Sequence, residues 1–161
     1  MKMLKGICLC VCSVAVGIVG GVAYVQKEAK KEIRNEKLLS EKHLVLFQMM
    51  NQWIKNKQYD KSISQYLRNQ GIATVAIYGM SYVGETLFEE LNGSEIKVAY
   101  AIDNNQTLNT LDIPLVTVAD KLESVDAVIV TAITYFDSIK EQLSNKIDSR
   151  IISLEEIVYN L

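Results

Sequence analysis

From Ile72 onward, short apolar runs rich in β-branched residues alternate with helical stretches, and this constrains the fold more than any other feature of the chain. Ala73 to Tyr78 (ATVAIY), Lys97 to Ile102 (KVAYAI), Ala127 to Thr131 (AVIVT) and Arg150 to Ser153 (RIIS) are the clearest runs. They are short for helices and apolar enough to be buried on both faces, as strands of a parallel sheet are. Ile113 to Val118 contains the only proline, Pro114, and so suits an edge strand, where a missing backbone donor does least harm. Glu85 to Leu91, Phe136 to Lys146 and Leu154 to Tyr159 read as helices, Ala119 to Leu122 as a helical turn, and Asp103 to Asp112 as a polar loop. Strands alternating with helices predict an α/β fold with a parallel sheet covered on both faces. Five strands in this succession predict a small half-Rossmann sheet of order 3-2-1-4-5.

The part before Ile72 is built differently. Gly6 to Val25 (GICLCVCSVAVGIVGGVAYV) contains no charged residue. At ~1.5 Å rise per residue such a helix spans the ~30 Å of bilayer hydrocarbon. A signal peptide cleaved after Gly21-Val22-Ala23 is the competing reading, but its apolar core runs to only ~7–15 residues. Residues 1–25 are therefore expected to form a transmembrane anchor. Lys27, Lys30, Lys31, Arg34 and Lys37 follow it, against Lys2 and Lys5 before it. That excess places the C-terminal part on the cytoplasmic side of a single-pass cell-membrane protein. Gly17 and Gly21 have the small-xxx-small spacing that lets two membrane helices approach closely, a route to a homo-oligomer. The three cysteines, Cys8, Cys10 and Cys12, all fall in the apolar run, so the rest of the chain has neither a disulfide framework nor a thiolate metal site.

Residues 26–71 read as a helical stalk and collar ahead of the 72–161 domain. Leu39, His43, Leu46, Phe47, Met50 and Ile54 fall on one stripe at helical spacing. That stripe is expected to pack on the domain or to pair with a second copy. Trp53 is expected to be a packing anchor. His43 is the only histidine, which excludes a Ser-His-Asp set that uses a second one; on a helix face it is assigned no role. Ser62 to Gln70 forms a short helix that Gly71 ends. The net charge of −2 offers nothing for nucleic acid.

One junction has the form of a ligand site. The first strand runs into Gly79-Met80-Ser81-Tyr82-Val83-Gly84. Compared with G-x-G-x-x-G, the outer glycines are present and Ser81 stands at the middle one. Gly79 permits the sharp turn out of the strand, and Gly84 lets the helix sit close to the sheet. The free amides and positive end of that helix are a seat for phosphate. Asp103 ends the second strand, ~20 residues on, where an acid holds ribose hydroxyls. Thr131, Thr134 and Tyr135 follow the fourth strand at the edge where ligands bind in open α/β sheets. The candidate binding residues are Gly79, Met80, Ser81, Tyr82, Gly84, Asp103 and Thr131, with NAD or a nucleotide sugar as the ligand. A purely structural βα turn has the same local appearance. No catalytic or metal-ligating residue is assigned: Tyr135 is followed four positions later by Ile139, so the Tyr-x-x-x-Lys pair of many dehydrogenases is absent.

With MNQWI, VAIYGMSYVGETLFEEL, AYAIDNN, DAVIVTAITYFDSI and IISLEEIVYNL, the stretch from Leu46 to Leu161 resembles a Rossmann-like domain of bacterial surface-polysaccharide and capsule loci. There it occurs alone or joined to glycosyltransferases. The stretch is also similar to the nucleotide-sugar-binding first domain of bacterial sugar acyltransferases. The family usually has glycine where this chain has Ser81. The resemblance implies a nucleotide-binding module, with Gly79, Ser81, Gly84 and Asp103 at its site, accessory to polysaccharide biosynthesis. It further implies partnership with a glycosyltransferase or another polysaccharide-assembly enzyme. An NAD-dependent sugar-nucleotide dehydrogenase or epimerase fragment is the enzymatic alternative. A non-binding scaffold that dimerises through the stalk is the structural one.

Overall fold

The computed structural model describes residues 2–105 and 112–161, with side chains from residue 25 onward. The chain forms two compact units, Met1–Val45 and Leu46–Leu161. Helix α1 (Lys2–Gln58) begins in the first and ends in the second. In the first unit the side chains from Val25 to Glu41 are all exposed. The apolar run expected to span a membrane is helical within α1. Its side chains up to Tyr24, including the Gly17/Gly21 face, lie outside the described residues. Among the described residues no helix is long and apolar enough to cross a membrane.

The second unit is an α/β layer structure. Its elements are the end of α1, α2 (Ile63–Asn69), β1 (Thr74–Tyr78), α3 (Tyr82–Leu91), β2 (Lys97–Ile102), β3 (Leu115–Val116), β4 (Ala127–Val130), α4 (Phe136–Ser144), β5 (Arg150–Ser153) and α5 (Leu154–Asn160). The five strands form one parallel sheet of order β3-β2-β1-β4-β5, as the alternation predicts. Strand β3 is cut to two residues. Pro114 just before it accepts a hydrogen bond from the Ala101 amide (2.9 Å) but has no amide of its own to extend the ladder.

Side-chain alternation along the strands sorts the sheet's two faces into two cores. Val75, Ile77, Ala101, Ala127, Ile129 and Ile152 meet α1, α2, α3 and α5. Ala76, Tyr100, Ile102, Val128 and Val130 meet Ile139 and Leu143 of α4. At the sheet's amino end the Asp126 carboxylate accepts the Ala73 and Thr74 amides (2.9 and 2.7 Å) and the Thr74 hydroxyl, joining the starts of β1 and β4.

The end of α1 belongs to this core: Leu46 and Met50 of the expected stripe pack against it, and Trp53, the expected packing anchor, lies within it. Met49 and Trp53 are buried with Asn56, whereas Phe47 and Ile54 are 70% and 56% exposed. Two of the buried contacts are polar. Trp53 Nε1 donates to Glu90 Oε2 (2.6 Å) and Asn56 Nδ2 to the Val158 carbonyl (2.6 Å).

Helix α3 begins at Tyr82 rather than at the expected Glu85. Gly84 lies in its first turn. A Cβ there would come within 2.1 Å of the Gly79 carbonyl oxygen. Glycine is needed at this position for close approach, and it does not break the helix.

Candidate functional site

The site lies at the carboxyl edge of the sheet, between β1 and β4, where successive connections leave toward opposite faces. Such switch points are where open α/β sheets hold ligands. Strand β1 ends at Tyr78, and Gly79 turns the chain with φ +92, a left-handed conformation that glycine adopts without steric penalty. The Gly79 amide donates to the Ile102 carbonyl (2.9 Å), fixing the turn against the end of β2.

Thr131, the first residue after β4, faces Gly79 across the crevice. Its amide donates to the Tyr78 carbonyl (3.0 Å). Its hydroxyl lies 2.6 Å from the Gly79 carbonyl oxygen and 3.0 Å from that of Tyr78. A Cβ on Gly79 would fall 2.7 Å from Thr131 Oγ1, so the bridge and the glycine require each other.

Asp103 follows β2. Its Oδ2 accepts the Met80 amide (2.8 Å) and its Oδ1 the Asn105 amide (2.8 Å). Each carboxylate oxygen has a second lone-pair direction left, which suits a further donor such as a ribose hydroxyl. Ser81 occupies the N-cap of α3 in extended conformation (φ −77, ψ −173), and its hydroxyl makes no capping bond. The first intrahelical bond runs from the Glu85 amide to the Ser81 carbonyl (3.0 Å). By helix geometry the amides of Tyr82, Val83 and Gly84 have no intrahelical acceptor, and they carry the positive end of the helix dipole.

Of the seven candidate residues, Gly79, Ser81, Asp103 and Thr131 line one open cleft of about 420 Å³, together with Asn104 and Tyr78. Met80, Tyr82 and Gly84 do not line it. The Met80 side chain is buried in the core, and Tyr82 is 87% exposed on the outer turn of α3. Gly84 is packed beneath, against the Gly79 carbonyl. Tyr135 and Ser138 close the α4 side of the cleft, while Thr134 is exposed and lies outside it.

Tyr78 is the residue the sequence reading missed. Strand parity could have found it: Ala76 faces α4, so Tyr78 does too. Burial, and then the negative charge of Asp103, push its phenol above the ordinary value. It remains a neutral hydrogen-bond donor beside the carboxylate at physiological pH.

The cleft thus gathers Ser81, the N-cap of α3, with the Asp103 carboxylate, the Tyr78 phenol and the Thr131, Tyr135 and Ser138 hydroxyls. Among the described residues that line it there is no histidine, lysine or cysteine. Among the described residues no group of three histidine, cysteine, aspartate or glutamate side chains is gathered to hold a metal. No protein family, curated protein or solved structure matches this chain.

Proposed function

We propose that the chain is a membrane-tethered module that binds a nucleotide or nucleotide sugar, accessory to cell-envelope polysaccharide biosynthesis. The carrying observation is the cleft at the switch point, where Ser81, the N-cap of α3 whose hydroxyl makes no capping bond, and the Asp103 carboxylate line one opening. A diphosphate seats on the α3 amides, and Asp103 with Tyr78 takes the ribose hydroxyls. Its volume is at the small end of the ~300–1,000 Å³ of ligand pockets, which fits a nucleoside diphosphate better than a whole dinucleotide. The tether rests on the uncharged run Gly6 to Val25. The pathway and the cytoplasmic placement rest on the sequence resemblance and on the flanking lysines.

A second reading has its own observation. Asp103 and Thr131 already have partners within the protein, as they would in a scaffold whose turn is complete without ligand. Thermal melting of the full chain with UDP, UDP-sugars, NAD and CoA separates the two. Ligand at 100 times its dissociation constant raises stability by about 2.7 kcal/mol. An unchanged melting temperature across the panel supports the scaffold.

A further inference from the structure

Lys27, Lys30, Lys31 and Arg34 are exposed on α1 and form no ion pair among the described residues. At about 100° per residue they occupy one arc of roughly 100°, and Glu28, Glu32 and Glu36 occupy another centred roughly 150° away. The segment is therefore amphipathic by charge. Lys27 and Lys31, Lys30 and Arg34, Glu28 and Glu32, and Glu32 and Glu36 are like-charge pairs at i,i+4, a spacing at which like charges destabilise an isolated helix. One turn later the pattern changes to an opposite-charge pair, Lys37 and Glu41, at 3.9 Å. A purely solvated helix is better served by the second arrangement, whereas the first leaves a basic arc suited to an external anion.

Position along the helix identifies that anion. At ~1.5 Å per residue, Lys27 to Arg34 lie ~3 to ~14 Å past Val25. The headgroup layer is about 5–8 Å deep on each side of the hydrocarbon. The three lysines stand within or just beyond it, and Arg34 reaches back through its flexible stem. We propose that this basic face binds the phosphates of an anionic phospholipid leaflet. The proposal rests on the reading of Gly6 to Val25 as a tether.

The full chain, reconstituted into phosphatidylcholine bilayers that contain phosphatidylglycerol, tests it through the motionally restricted lipid shell seen by electron spin resonance of spin-labelled lipids. The expected result is enrichment of phosphatidylglycerol over phosphatidylcholine in that shell by about threefold or more. The preference should vanish in the variant with Lys27→Gln, Lys30→Gln, Lys31→Gln and Arg34→Gln, and fade in high salt. It should persist in Glu28→Gln/Glu32→Gln/Glu36→Gln, which raises net charge without touching the basic face. Equal enrichment of both lipids overturns headgroup recognition while leaving the tether intact. Salt-reversible binding to phosphatidylglycerol vesicles with no restricted shell upholds the basic face and refutes the tether. Preference for polyglutamate over the anionic bilayer assigns the face to an acidic protein and overturns the proposal.

Discussion

The Asp103 carboxylate accepts the Met80 amide hydrogen at 2.8 Å, so the turn that leaves β1 is held by an anion that the protein itself supplies from the end of β2. This bond places the acid against the turn just ahead of α3 and keeps that turn shaped. Asp103 therefore serves both the fold and the ligand, and its variants should show both effects.

Asp103→Ala leaves the Met80 and Asn105 amides without their acceptor and should lower stability by ~1–3 kcal/mol, read by urea denaturation. Its affinity for UDP should fall ~10- to 100-fold, the loss of a hydrogen bond to a charged group, while inorganic pyrophosphate is affected less. Equal losses for the two ligands in titration calorimetry would remove the ribose role.

Gly84→Ala and Gly93→Ala separate two uses of glycine. At Gly84 the new methyl meets the Gly79 backbone oxygen at 2.1 Å. Backbone cannot step aside as a side chain can, so the cost should reach ~3 kcal/mol. At Gly93 nothing stands within 4 Å, and only the positive φ of +78 opposes the change, about 1–2 kcal/mol. Thermal melting of the two variants should rank them in that order.

Glu90, with a side chain only 7% exposed, collects Trp53 Nε1, the Ile63 amide and Lys57 Nζ (2.6, 2.9 and 3.2 Å). Glu90→Ala leaves two part-buried donors unpaired and should cost about 2–4 kcal/mol. Trp53, the only tryptophan, is buried and reports the change as a red shift of its emission. Unaltered stability would mean that the end of α1 is not fixed through this carboxylate.

Acid stability should depend on Asp126. The Ala73 amide first, then the Thr74 amide and hydroxyl, hold its carboxyl below the ordinary value. A folded-state pKa below the unfolded one contributes stability that is present above the ordinary carboxylate range and is lost as pH falls through the lowered value. Urea midpoints followed from near neutrality to about pH 2 should decline along that limb. Asp126→Asn should make the decline shallower.

Which parts of this molecule the sequence discloses follows from how local their causes are. The sheet order comes from alternating runs such as ATVAIY and AVIVT, because buried parallel strands must be apolar on both faces. Gly79, Gly84 and Asp103 could be placed because a tight βα turn has few chemical solutions. The seam of Met49, Trp53 and Asn56 could be placed only at Trp53, expected as a packing anchor. It is closed by Glu90 and by the Val158 carbonyl, groups far away in the chain. Of the apolar stripe, Leu46 and Met50 pack on the core while Phe47 and Ile54 are exposed. The Thr131 bridge to Gly79 depends on the close approach of two chain turns, which the expected pairing of β1 with β4 leaves unspecified.

The most direct measurement is of the amides themselves. In the ¹H–¹⁵N spectrum of the full chain, UDP should shift the Tyr82, Val83 and Gly84 resonances saturably. Ser81→Asp places a carboxylate at the helix N-cap, where it suits the dipole and leaves stability unchanged or higher, yet it should abolish those shifts by occupying the phosphate's place. Amides that stay unmoved by UDP in the wild-type chain would contradict the account.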